Sequence, residues 1–310
     1  MASDSLRGSL TAFWSEALGM ARHMLLIQSM LRILLISGLL GSVAGGALHA
    51  DAISEARPAT LEAGYRQMYN LQFAQAHETF RDWEGIHPDD PLAAASDAAQ
   101  YLFAEFDRMH ILQSEFFTHD QHFITDHKLT PDPARKQRFR EALAVSRGLA
   151  NRNPRESTAE FAAVLCDGLE SDYMALIEKR YAASFARMKA SRTRAEKLLA
   201  ANPTYYDAWV AVGLENYMLS VRPAPVRFLL RVGGGQTDKA LGLEKLRLAA
   251  EKGHYLAPFA RLLLAVAALR DHHQDQVRSL LDGLCHDFPE NPLYALELGR
   301  LGPIAAGSTP

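Results

Sequence analysis

The chain has 310 residues, of which 48% are apolar, 22% charged and 9% aromatic, so it carries the material for an extended core and is not disordered in bulk. Its formal net charge of −3, with no dense block of Lys or Arg, excludes a nucleic-acid coat, because phosphate recognition needs a concentrated basic surface. Only two cysteines are present, Cys166 and Cys285.

The first predicted element is a hydrophobic run. Leu25-Leu26-Ile27, Ile33-Leu34-Leu35-Ile36 and Leu39-Leu40 are followed by small residues from Gly41 to Ala47, and Arg22, His23 and Arg32 precede the most apolar part. A basic leader, a short apolar stretch and the small-x-small end Ala50-Asp51-Ala52 predict a secretory signal cleaved after Ala52. Arg32 interrupts the run, which disfavours the alternative of an uncleaved inner-membrane anchor needing about 20 apolar residues. Met20 or Met24 would make a more ordinary start than Met1. No cysteine follows the small residues, so acylation of the lipoprotein type is not available. The expected organisation is a lead and signal at 1–52, a helical domain at 53–301 and a flexible tail at 302–310, in a periplasmic or secreted protein. Disulfides can form there, yet Cys166 and Cys285 fall in different hairpins with a whole hairpin between them. Two separate buried thiols are expected.

Beyond the signal, helical hairpins recur. Stops come at His87-Pro88, Asn153-Pro154, Asn202-Pro203 and Phe288-Pro289, where proline forbids continuation. Starts are marked by Asp90-Pro91, Asp132-Pro133 and Asn291-Pro292, a capping oxygen just before proline at the first helical position. Ser157-Thr158-Ala159-Glu160 and Thr204-Tyr205-Tyr206-Asp207 fit the capping box. Val277, Leu280, Leu281, Leu284, Cys285 and Phe288 share one helical stripe. The hairpins predicted are 58–84, 90–151, 157–201, 204–252 and 255–287, with a last helix over 291–301. The second and fourth carry insertions at 115–129 and 222–236. No segment alternates in the manner of a strand.

Gly64, Phe73, Ala76, Phe80 and Pro88 lie at spacings similar to the tetratricopeptide repeat, in which small residues let two helices approach and aromatics fill the gaps. Trp83 stands where that motif prefers a small residue. Ala142 with Pro154, and Asn202-Pro203, carry the likeness into the second and third hairpins. The stretch from Leu61 to Leu301 also resembles a group of secreted bacterial tetratricopeptide proteins of undefined function, through Tyr69-Asn70-Leu71-Gln72-Phe73, Ser114-Glu115-Phe116-Phe117, Lys128-Leu129-Thr130-Pro131 and Arg222-Pro223 through Gly235. The resemblance implies an exported, all-α, right-handed solenoid of stacked helical hairpins with insertions. It implies no catalytic residue.

In such a stack the first helices line a concave side, where amphipathic aromatics hold a peptide or helix. The expected contact set is Tyr65, Tyr69 and Asn70 from the first hairpin, Tyr101, Glu105 and Arg108 from the second, Tyr173 and Tyr181 from the third, and Trp209, Asn216 and Tyr217 from the fourth. The function predicted is non-catalytic: a scaffold that binds a protein or peptide, with no cofactor and no nucleic acid. Residue by residue, inter-helix packing competes with contact for the same aromatics.

Three other patterns point elsewhere. His119, His122 and Asp126, with His127 beside them, offer imidazoles and a carboxylate to a metal-dependent enzyme, but spacing alone does not converge three ligands, and a polar loop docked by its aromatics is the simpler account. Gly233-Gly234-Gly235-Gln236-Thr237-Asp238-Lys239 lacks the Gly-Lys-Ser/Thr ending of a phosphate loop and no strand feeds it. It reads as one helix ending at Val232 and another capped by Thr237. In Pro223–Val232, Val226, Phe228, Leu229, Leu230 and Val232 interleave with Arg227 and Arg231, and Arg222 stands just before. Peripheral membrane contact is one use for such a segment. Burial inside the solenoid is the favoured expectation. Neither a nucleophile elbow nor a His-Glu-x-x-His run is present in the sequence.

Overall fold

A computed structural model describes residues 60–112 and 129–301, and these belong to one compact unit, Pro58–Pro310. Among the described residues the chain forms twelve α-helices and no strand. They are α1 (Leu61–Tyr69), α2 (Phe73–Ile86), α3 (Pro91–Arg108), α4 (Pro133–Ala150), α5 (Ser157–Asp172) and α6 (Tyr181–Ala201), then α7 (Trp209–Ser220), α8 (Ala224–Val232), α9 (Lys239–Lys252), α10 (Ala257–Arg270), α11 (Gln274–Asp287) and α12 (Pro292–Arg300). A π-helical turn, Tyr173–Ile177, extends α5, and a 3₁₀ turn, Tyr206–Ala208, leads into α7.

The Asp-Pro and Asn-Pro starts work as their chemistry dictates. Asp90 accepts from the Leu92 N–H at 2.9 Å, Asp132 from Arg135 at 2.7 Å and Asn291 from Leu293 at 2.9 Å, so each satisfies a donor that the first turn leaves orphaned. The two capping boxes do not form. α5 starts behind Glu156 with no side-chain cap, and the Thr204 hydroxyl donates to Asn202 instead. Asp207 turns away from its own helix. Its carboxylate accepts the N–H groups of His254, Tyr255 and Leu256 at 2.8–3.0 Å and so holds the start of α10. Tertiary partners outcompeted a local cap.

Five pairs pack as hairpins: α1 with α2, α3 with α4, α5 with α6, α7 with α9, and α10 with α11. Each leans on the next through α2–α3, α3–α5, α4–α5, α6–α7 and α9–α10. Close approach needs small residues at two of these contacts. A Cβ on Gly64 would sit 2.3 Å from the Phe80 ring, and Gly213 and Gly242 face each other so closely that a Cβ on either meets the other's carbonyl at 2.9–3.0 Å.

The two ends of the array meet, which neighbour-only stacking does not allow. The Tyr65 ring stacks on Tyr255 at 5.0 Å, and the Tyr69 hydroxyl donates to the Tyr255 carbonyl at 3.1 Å. Tyr69 also packs on Phe288 at 5.4 Å, while its carbonyl accepts from Asn291 Nδ2 at 2.8 Å. The Glu290 N–H donates to Asn70 at 3.1 Å, and His254 pairs with Glu62 at 2.6 Å. One core therefore runs from Leu61 through Phe161 and Val212 to Phe288 and Tyr294. The first helix is thus joined directly to the last hairpins, beyond the neighbour-to-neighbour contacts expected of the stack.

Neither cysteine is bridged. Cys166 is buried against the Ser146 hydroxyl at 3.3 Å, and burial pushes its thiol up to about 11. Cys285 is only half-buried, less enclosed than expected.

Candidate functional site

Packing between helices, and the joined ends for Tyr65, Tyr69 and Asn70, consume most of the contact set expected from the sequence. Tyr65, Tyr69, Asn70, Glu105, Tyr173, Asn216 and Tyr217 are buried, and so offer no surface to a partner. Tyr65 accepts from the Ser96 hydroxyl at 3.0 Å, and burial holds the hydroxyls of both Tyr65 and Tyr69 far above the ordinary tyrosine range. Tyr173 stacks on Phe139 at 5.1 Å with the Lys136 ammonium 5.5 Å from its ring. Glu105 ties down the stretch of chain that enters α4. It accepts from Arg108 at 2.6 Å, from Arg135 at 2.7 Å and from the Asp132 N–H at 2.7 Å. Burial alone would raise its carboxyl, but these donors outweigh burial and hold it below the usual carboxylate range. Tyr101 and Trp209 are half-buried, one beside His77 and the other 4.5 Å beneath the Lys245 ammonium. Arg108 and Tyr181 are exposed. For the buried tyrosines the physical reason is shared: an aromatic at a hairpin serves equally to join two helices or to meet a ligand, and here the joints took them.

The segment expected to be buried is instead partly exposed. No residue of α8 is buried; Val226, Leu229 and Leu230 are half-buried, and Phe228 and Val232 are 66% and 69% exposed. At a spacing of four they lie one above the other on a single face.

The return loop after α8 is held firmly. Gly234 takes a left-handed φ of 81°, and a Cβ on Gly235 would meet Leu219 at 2.8 Å and Phe185 at 3.0 Å. Gln236 sits at the centre of a polar network. Its N–H donates to Glu215 at 3.0 Å, its amide donates to Glu196 at 2.8 Å, and its carbonyl oxygen accepts from Asn216 at 2.8 Å. Arg192 lies 3.0 Å from Glu215 and 2.6 Å from Glu196. Burial pushes the Glu215 carboxyl above its ordinary value despite these partners. Asp238, rather than Thr237, caps α9 through the Leu241 N–H at 3.0 Å; Thr237 is buried and accepts from Arg231. Asn216, Gln236, Thr237, Asp238 and Arg231 line a shallow cavity of about 340 Å³ beside the loop.

Sequence reasoning missed Arg192, Glu196, Glu215 and Gln236 as the clamp on this insertion. The available signal was Glu215-Asn216, an acid and an amide inside the otherwise apolar run from Trp209 to Leu219. His119, His122 and Asp126 lie outside the described residues, as do the signal segment and the tail. Among the described residues no group of three or more metal-ligating side chains converges, and no helix is long and apolar enough to cross a membrane.

Comparison with protein-family models, with curated proteins and with solved structures finds no match.

Proposed function

We propose that the chain is an exported, non-catalytic binding protein, a tetratricopeptide-like right-handed stack of helical hairpins, and that it grips a protein partner through α8 rather than through an inner trough. The observation that carries this is the pair Phe228 and Val232, large, apolar and turned outward on a helix whose exit loop is clamped by Gln236. Apolar residues exposed together on a braced element mark an interaction surface, and a contact presented in fixed geometry loses little ordering entropy on binding. The hairpin pairing supports the tetratricopeptide-like part of the reading, and the 24–50 run supports export with a mature N-terminus at Ile53.

A second reading places α8 at a membrane surface, favoured by the same exposed pair beside Arg227 and Arg231. Both arginines, however, spend donors on their own loop: Arg227 on the Arg222 carbonyl at 2.8 Å and Arg231 on Thr237. Those bonds leave each guanidinium further donors, so flotation with lipid vesicles is what separates the membrane from a protein partner.

The test is affinity capture from the envelope fraction with the native chain and with Phe228→Asp plus Val232→Asp, alongside flotation of both forms with lipid vesicles. Partner proteins recovered by the native form and lost from the double variant are expected. Equal recovery by both forms would remove α8 as the contact, and flotation abolished by the substitutions would transfer it to the membrane.

A further inference from the structure

α5 packs against both α4 and α6, and its carboxylates form a ridge covered by cations from either side. Asp167 accepts from three guanidinium groups, Arg147 and Arg187 at 3.2 Å and Arg194 at 3.1 Å. Glu170 takes Arg147 at 2.6 Å and Arg187 at 3.0 Å. At one end Glu160 lies 3.5 Å from Lys197 and 3.9 Å from Arg194. At the other, beyond the π-helical turn, Glu178 gathers Lys136 at 2.9 Å, Arg180 at 3.2 Å and Arg140 at 3.4 Å. Lys136 and Arg140 also line a shallow cavity of about 390 Å³ on α4.

Two features separate this from an ordinary solvated set of ion pairs. The charges are layered: the Asp167 side chain is 6% exposed, while Arg187 and Arg194 above it are 42% and 47% exposed. They are also unbalanced, with seven cations over four carboxylates. Each guanidinium has five donors in a planar fork, so several remain directed outward after the carboxylate beneath is satisfied. The spacing is regular. Arg180, Arg187 and Arg194 recur every seven residues on the α6 side, and Lys136, Arg140 and Arg147 share one face of α4. The excess is regional: residues 129–201 hold 14 Lys and Arg against 9 Asp and Glu, a balance of +5, and the rest of the chain stands at −8.

We propose that this cationic stripe over α4, α5 and α6 docks an acidic protein segment, its carboxylates seated on the outward donors of Arg147, Arg187, Arg194 and the Lys136–Arg140–Arg180 cluster. This rests on the reading that the chain binds a protein partner, and adds a second contact chemically distinct from α8. The α-helical part of the ridge, from Glu160 to Asp172, rises roughly 18 Å at about 1.5 Å per residue, and the π-helical turn carries it on to Glu178. The whole ridge matches about eight residues of extended peptide, whereas a free phosphate or a single headgroup reaches one cluster only. Carboxylate on guanidinium is a matched, two-pronged pairing.

The probe is a fluorescein-labelled octaglutamate peptide, titrated by anisotropy into the full-length protein, with octaglutamine as the uncharged control. Arg140→Gln with Arg180→Gln leaves Lys136 on Glu178, and Arg187→Gln leaves Arg147 and Arg194 on Asp167, so each carboxylate keeps a cation and the fold is preserved; circular dichroism checks this. Saturable octaglutamate binding is expected that falls as salt is raised, with about tenfold loss in either variant, and no change in Phe228→Asp. That last form separates this inference from the α8 reading, whose failure leaves octaglutamate binding intact. Three results would overturn the proposal: no binding by the folded native protein, equal affinity in native and arginine variants, or displacement of the peptide by inorganic phosphate or anionic phosphatidylglycerol vesicles at equivalent charge.

Discussion

Glu105 shows how one buried carboxylate can organise its surroundings. It stands on α3 with almost no exposure, yet three donors reach it: Arg108 from its own helix, Arg135 from α4, and the Asp132 N–H at the entry to α4. Replacing it with Gln keeps the shape and removes the charge that two guanidinium groups require. The expected loss is about 1.5–3 kcal/mol, measured by urea unfolding at pH 7. Its folded pKa is held below the unfolded value of about 4.3. Its stabilisation is therefore fully present above that value and disappears as pH falls through the depressed folded pKa. The gap between native protein and Glu105→Gln should accordingly shrink between pH 5 and strongly acid conditions; a gap that is constant or widens would show that the ionised carboxylate is not the source.

Helices α1 and α2 meet where Gly64 lies under the Phe80 ring. A methyl there collides with an aromatic fixed in the core, so Gly64→Ala should cost about 1–3 kcal/mol through overpacking. Gly148, in α4, is open: a methyl added there would find nothing within 4 Å. Gly148→Ala should instead gain up to about 1 kcal/mol from helix propensity alone. Thermal melts of the two variants shifting in the same direction would refute the close-packing account. Gly64 with Phe80 is legible in the sequence because the motif spacing marks a small residue facing an aromatic. The Ser157 and Thr204 capping boxes are equally legible and misleading: a local pattern states what a residue can bond, not whether a distant N–H, as at Asp207, competes for the start of another helix.

Tyr69 joins the first helix to the last hairpins across more than 180 residues of sequence, with its hydroxyl on Tyr255, its carbonyl under Asn291 and its ring on Phe288. Tyr69→Ala should cost roughly 3–5 kcal/mol, in the range for deleting a buried aromatic. Because the ends are joined, hydrogen exchange should accelerate in α11 and α12 as well as in α1 and α2. Loss of protection confined to the first hairpin would mean that the array behaves as independent neighbours after all.

Among the described residues, the all-helical class and most helix boundaries were determined by local chemistry: proline stops, Asp-Pro and Asn-Pro starts, and apolar stripes act within a few residues, so they can be read along the chain. The direction taken by each aromatic was not. Tyr69, Tyr173 and Tyr217 carry no local mark that separates a joint from a binding surface; packing placed them inside, against neighbouring helices for Tyr173 and Tyr217 and against the far end of the chain for Tyr69. For α8 the ambiguity ran the other way. Its mixture of apolar residues and arginines favoured burial, and the structure instead leaves Phe228 and Val232 exposed, beside a loop that α6 and α7 hold at Gln236.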